Sequence, residues 1–219
     1  MRRTEKDILG TKELSEETLY GINTARALEN FALGQKKMNR ELVRAIVIVK
    51  KAAAGTYLKL KIGNEDVESA IINACDHILN HECDMEACFP LQALQGGAGT
   101  SANMNVNEVL ANLALLELGH KPGEYDVIHP LDDVNRGQST NDVYPTALRI
   151  AAIRQLRLLS DACAKLQTAF QEKENLWQDV EKLGRTELMD AVPVTLGEEF
   201  GAYAQALARD RWRLYKVEE

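Results

Sequence analysis

Pro145-Thr146-Ala147-Leu148-Arg149-Ile150-Ala151-Ala152-Ile153-Arg154-Gln155-Leu156-Arg157-Leu158-Leu159-Ser160-Asp161-Ala162-Cys163-Ala164-Lys165-Leu166-Gln167-Thr168-Ala169-Phe170 carries the longest helical pattern in the chain. Within it Leu148, Ala152, Leu156, Leu159, Cys163, Leu166 and Phe170 recur at spacings of three and four, which places them on one face of an α-helix. Pro145 suits the first turn, where its missing N–H costs nothing. A stripe of about six helical turns cannot bury itself. Only one further helix is legible beyond it, opened by the capping box Thr195-Leu196-Gly197-Glu198 after a break at Gly184 and Pro193. It is still amphipathic at Glu219. Bundles normally join about four helices, so the expectation is a fragment, or a chain completed by partner chains.

Toward the N-terminus the same periodicity marks three shorter helices. Asn39 caps the first, which carries Leu42, Val43, Ile46, Val49, Ala53 and Tyr57 on one face and ends near Gly63. Asn64 caps the second, with Glu65 and Asp66 in its first turn and Ile71, Ile72, Cys75, Ile78 and Leu79 as its stripe. The third runs from about Asn103 to Leu118, with Gly119 as its stop. A loop from His120 to about Thr140 follows, and residues 1 to 38 read as irregular. The expectation is a mainly α chain, with an N-terminal helical domain over residues 1–140. Residues 141–219 would be the first long helices of a central bundle.

Composition agrees with helices and narrows the class. Only five of 219 residues are Pro and 5% are aromatic, while 45% are hydrophobic, which suffices for a core. With 26 Lys+Arg against 33 Asp+Glu the net charge is -7, and no basic face stands out to neutralise phosphates, so nucleic acid is not an expected partner. No apolar run approaches the roughly 20 residues of a membrane span, and no hydrophobic stretch follows Met1-Arg2-Arg3 to make a signal peptide. The expected location is cytoplasmic, so Cys75, Cys83, Cys88 and Cys163 read as reduced thiols.

Three segments set glycine beside small hydroxyl and amide side chains near helix starts. They are Gly96-Gly97-Ala98-Gly99-Thr100-Ser101-Ala102-Asn103-Met104-Asn105, Gln138-Ser139-Thr140-Asn141-Asp142 with the preceding Gly137, and Gly184-Arg185-Thr186-Glu187. Unpaired N–H groups and compact hydroxyl donors there would suit a small polyanion; ordinary capping and turn chemistry accounts for any one segment alone. Gly97 to Ala102 also matches Gly-x-Gly-x-x-Ala, with Glu117 twenty residues after Gly97. A dinucleotide site would need a strand before it, whereas Cys88-Phe89-Pro90-Leu91-Gln92 contains a proline and no β-branched run. Cys75, His77, His81, Cys83 and Cys88 lack the paired short spacings of a zinc site, and Cys75 falls in the apolar stripe. Lys36-Lys37 and Lys50-Lys51 read as solvated helix-edge charge.

In this order the three segments resemble the aspartase/fumarase superfamily, over nearly the whole chain but only about the first half of a typical member. Gly10-Thr11-Lys12-Glu13-Leu14, Tyr20-Gly21 and Arg26-Ala27-Leu28-Glu29-Asn30-Phe31 resemble its N-terminal region, and Asn107-Glu108 and Pro145-Thr146-Ala147 extend two of the motifs. Ser139-Thr140-Asn141 leans toward the branch that eliminates ammonia from aspartate, where the fumarate-hydrating branch tends to show Ser-Ser-Asn; at position 187, where fumarases and some aspartases align a His, the chain has Glu187. The resemblance implies that Thr100, Ser139 and Thr140 hold the substrate β-carboxylate, while Asn141, Thr186 and Glu187 face its amino group. It implies a small dicarboxylate substrate (L-aspartate, fumarate), a homotetramer whose sites draw on several subunits, and no metal or organic cofactor. Two departures stand out. Arg136-Gly137 replaces a common Ser before Gln138, and the family's Gly-Ser-Ser loop, with its serine base and lysine, is missing. No catalytic residue is therefore assigned in this chain, which is expected to be inactive alone. Fumarate hydration, or a non-catalytic helical interaction role, are the competing expectations.

Overall fold

The computed structural model describes every residue except His81. The chain divides into two compact units, Met1–Ala151 and Ala152–Glu219.

The first unit is built around a central helix. Its elements are the hairpin β1 (Arg2–Asp7) and β2 (Gly10–Ser15), then α1 (Ile22–Asn30), α2 (Arg40–Leu60), α3 (Glu65–Leu79), the short α4 (Met85–Cys88) and α5 (Thr100–Glu117). A single π-helical turn at Pro130–Val134 precedes α6 (Thr140–Leu176). Apolar residues surround α5 on nearly all sides, the pattern of a helix buried within a bundle. Val106, Val109, Leu110, Ala111, Ala114 and Leu115 are fully inaccessible, as are Ile46 and Val47 of α2 and Cys75 and Ile78 of α3. The helix caps fall where the sequence places them: Asn39 accepts from the Glu41 N–H and Asn64 from the Asp66 N–H.

Four expectations are corrected. Residues 1 to 38 are not irregular. They form the hairpin, with Arg2 opposite Ser15 and Asp7 opposite Gly10, and then α1. The strands escape pattern reading because they carry Arg2, Arg3, Glu5, Lys6 and Asp7 rather than alternating apolar residues. Helix α2 stops at Leu60, with Lys61 in the left-handed conformation (φ 57°), ahead of Gly63. Helix α5 starts at Thr100, three residues early, because Gly99 (φ 83°) is its cap. Helix α6 starts at Thr140 and holds Pro145 in its interior, because Ser139 O already accepts from the Asp142 and Val143 N–H groups.

In the second unit, the rest of α6 runs antiparallel to α7 (Leu196–Glu218), as the contacts Arg157–Glu218, Gln167–Arg211 and Phe170–Tyr203 require. Between them the break at Gly184 and Pro193 proves to be a hairpin of β3 (Glu181–Thr186) and β4 (Met189–Thr195). The capping box is present in full: Thr195 Oγ1 accepts from the Glu198 N–H, and Glu198 Oε2 from the Thr195 N–H. Much of the long stripe stays in solvent, with Leu148, Leu159 and Leu166 each about half exposed. No helix among the described residues is long and apolar enough to cross a membrane.

Candidate functional site

Two of the hydroxyl-rich segments meet in the first unit. Gly97 and Gly99 both take positive φ (70° and 83°), turning the chain sharply into α5. A Cβ on Gly99 would lie 2.3 Å from the Tyr144 ring, so only glycine lets the starts of α5 and α6 approach this closely. Gln95 Oε1 accepts from the Ala102 N–H at 2.8 Å, satisfying one of the free donors of the first turn. Thr100, the first residue of α5, is exposed, and Ser101 is half-buried.

Thr140 opens α6, half-buried, and its Oγ1 accepts from Asn103 Nδ2 at 3.3 Å. Ser139 is exposed, and its Oγ accepts from the Asn141 N–H at 3.2 Å, leaving the Ser139 hydroxyl hydrogen and the Asn141 amide toward solvent. Thus Thr100, Ser139, Thr140 and Asn141 belong to one neighbourhood at the N-termini of two helices. Such termini present unpaired N–H groups and favour anions.

Behind Thr140 lies a polar cluster that pattern reading missed. Asn135 Nδ2 donates to Gln138 O at 2.8 Å, which fixes the orientation of the amide. Its Oδ1 then accepts three donors: Lys50 Nζ at 2.7 Å, Asn103 Nδ2 at 3.0 Å and Asn107 Nδ2 at 3.2 Å. Lys50 is 1% exposed, which overturns its reading as solvated charge, and burial drags its ammonium down to about 7. Lys51 is half-buried and pairs with Asp76 at 2.5 Å. The signal for Lys50 was present: it stands in phase with Val43, Ile46, Val47 and Ala54 on the buried face of α2. Asn103 and Asn107, one turn apart on α5 among its buried residues, were the matching signal there.

Arg136-Gly137 is firmly held. The Arg136 guanidinium pairs with Glu68 at 3.0 Å and Asp133 at 2.6 Å, and Tyr57 Oη donates to the Arg136 carbonyl at 2.6 Å. Gly137 has φ 63°, and a Cβ there would lie 2.5 Å from Tyr57 Oη. The departure at these two positions therefore carries its own local packing.

Thr186 and Glu187 lie in the second unit. Thr186 ends β3 opposite Met189, and Glu187 and Leu188 form the two-residue turn between them, both with positive φ (48° and 62°). That is the conformation of primed hairpin turns, here without the usual glycine or asparagine. Both Thr186 and Glu187 are exposed.

A separate cleft in the first unit, about 640 Å³, is lined by Asp7, Ile22, Arg26, Ser101 and Met104 among others, and none of Thr100, Ser139, Thr140 and Asn141 lines it. His77 is described and pairs with Glu82, but its proposed partner His81 lies outside the described residues. Among the described residues no three His, Cys, Asp or Glu side chains are grouped to hold a metal ion.

A fold with glycine-turned helix starts and clustered hydroxyl donors defines a class, and comparison with known proteins identifies it. A family profile described as lyase matches residues 10–219, and the chain belongs to that family. Its relatives set it in the aspartase/fumarase superfamily. The aspartate ammonia-lyase of Escherichia coli (strain K12) is 47% identical over 99% of this chain and 46% of its own length. That of Bacillus subtilis (strain 168) is 44% identical over 98% of this chain and 46% of its own length. Among solved structures, a fumarate lyase:delta crystallin from Brucella melitensis matches with a TM-score of 0.95 at 48% identity, over all of this chain and 51% of that one. The class II fumarase of Schistosoma mansoni matches with a TM-score of 0.89 at 34% identity, over 96% of this chain and 44% of that one. The chain spans about half the length of the curated relatives it matches.

Proposed function

We propose that this chain is the N-terminal portion of an aspartate ammonia-lyase, which converts L-aspartate to fumarate and ammonia. Residues 1–140 are its N-terminal helical domain, and 141–219 open its central bundle. The observation that carries the reading is the joining of the starts of α5 and α6, with Thr140 hydrogen-bonded by Asn103.

Elimination begins by removing a weakly acidic proton beside the β-carboxylate. The charge moves onto that carboxylate, which becomes an enediolate dianion. Donors fixed around its oxygens stabilise this intermediate more than the substrate. Thr100, Ser139 and Thr140 take that role, each good donor contributing about 3 kcal/mol in a water-excluded site. Asn141 and, from a neighbouring subunit, Thr186 and Glu187 face the ammonium. The chemistry calls on no metal or organic cofactor. The serine base and the lysine for the α-carboxylate belong to the half of the relatives that this chain does not match. The complete enzyme is a cytoplasmic homotetramer.

The test has two arms. The purified 219-residue chain should form no fumarate from aspartate. A full-length enzyme carrying this sequence should release ammonia from aspartate and leave malate nearly untouched; malate formation from fumarate would transfer the assignment to fumarate hydratase. Failure to bind either dicarboxylate would favour a helical interaction protein. Glu187→His in the full-length enzyme should lower the preference for aspartate over malate about tenfold, the cost of about 1.4 kcal/mol of charge-assisted hydrogen bonding. An unchanged ratio of kcat/KM values would return Glu187 to a purely structural turn.

A further inference from the structure

All four cysteines read from the sequence as reduced thiols, and the structure separates two of them from the rest. Cys83 and Cys88 lie at either end of the α4 turn with their Sγ atoms 2.7 Å apart, close to the roughly 2.05 Å of a covalent S–S bond. Both line a cavity of about 430 Å³ whose rim includes Glu17, Asp84 and the paired Glu82 and His77; Cys83 is half-buried there, whereas Cys88 is buried. Cys75, by contrast, is fully inaccessible, and burial pushes its thiol up to about 12. Cys163 stands alone in the second unit.

We propose that Cys83 and Cys88 are a thiol–disulfide exchange site that takes small cationic disulfides, Cys83 attacking first and Cys88 resolving. The acidic rim selects the charge of the oxidant, and the partial exposure of Cys83 selects the attacking sulfur. Hydrogen bonding with Cys88 holds the Cys83 thiol below its usual value against the opposing effect of burial, and the same contact pushes Cys88 up. In the first step the Cys83 thiolate attacks one sulfur of the oxidant, whose S–S bond breaks to release one small thiolate. The mixed disulfide now sits beside Cys88. Its sulfur gives up its proton and attacks Cys83 Sγ, releasing the second small thiolate. Two protein thiols lose two electrons and two protons, and one small disulfide becomes two small thiols.

The new bond would close the α4 turn at the head of a segment that leads to the site. The Cys88 carbonyl already accepts from Asn105 Nδ2 of α5 at 3.0 Å, and the chain continues from Cys88 to Gln95, which holds the first turn of α5.

Cystamine is the probe. Treated at mildly alkaline pH, the wild-type chain should lose two hydrogens in intact mass, with peptide mapping giving a Cys83–Cys88 crosslink that dithiothreitol reverses. Cys88→Ser should instead retain one cysteamine on Cys83, and Cys83→Ser should react at least tenfold more slowly. A stable cysteamine adduct on wild-type Cys83, first modification at Cys163, or equal rates for Cys83→Ser and wild type would each overturn the assignment. Far-UV circular dichroism of both variants checks that they fold, and either variant alone distinguishes the outcomes.

Discussion

Replacing Lys50 by methionine removes an ammonium group from the interior while keeping an unbranched stem of similar length. The residue is 1% exposed, and its ammonium donates to the neutral amide oxygen of Asn135. Displacement from 10.5 to about 7 by burial corresponds to ~5 kcal/mol, at about 1.4 kcal/mol per pH unit. Between those two values the unfolded chain binds a proton that the folded chain lacks, so wild-type stability rises with pH across the window. Below about pH 7 both states are protonated and the cost of burial is fully expressed. Methionine lifts that cost but forgoes a charge-assisted hydrogen bond of about 1.5–3 kcal/mol, and Asn135 Oδ1 keeps its two amide donors. Lys50→Met should therefore be more stable than wild type at pH 6, by about 1–3 kcal/mol, and should lose about 2–3 kcal/mol of that advantage by pH 9. Urea unfolding at both pH values measures it. Circular dichroism is the suitable signal, because Trp177 and Trp212 both belong to the second unit and Lys50 to the first. Parallel pH profiles for the two proteins would refute a buried, proton-shedding lysine.

Glu108→Gln should destabilise the chain by about 2–3 kcal/mol in the same assay, because one oxygen facing the Asn23 N–H becomes a donor facing a donor. A change below about 0.5 kcal/mol would mean that the carboxylate is not what holds α1. Gly99→Ala should cost about 3 kcal/mol, from its left-handed backbone and the overlap with Tyr144. In a Tyr144→Ala background, Gly99→Ala should cost only about 1 kcal/mol of backbone strain, and an undiminished cost there would contradict the close approach of the two helix starts.

Local signals account for what was legible. Helices α2, α3 and α7 announce themselves because Asn39, Asn64 and Thr195 cap them within the next few residues, and those hydrogen bonds are present. Helix α1 was missed because nothing local caps it. Gly21 offers no side chain, and the acceptor is Glu108, whose Oε2 receives the Gly21 N–H at 2.9 Å and the Thr24 hydroxyl at 2.6 Å. The polar groups of the candidate site were legible as motifs, Thr100 and Ser139-Thr140-Asn141 above all, because glycine and hydroxyl residues mark helix starts. Their support was not, since Asn135 gathers Lys50, Asn103 and Asn107 from two other helices, and periodicity along one helix cannot report a partner on another. Lys50 shows the cost of reading charge before phase. Its position on the face of Val43 and Ile46 outweighed its ammonium.

The cap that Glu108 supplies to α1 also orders events during synthesis. The N–H groups of Gly21, Asn23 and Thr24 leave the ribosome more than eighty residues before their acceptor does. Helix α1 has nine residues, too few to persist alone in water, so it waits. Its docking is a late step that closes a long loop, after α2, α3 and α5 have gathered their apolar faces. The N-terminal hairpin waits with it, because Glu5 Oε2 accepts from the Ile22 N–H at the same helix start.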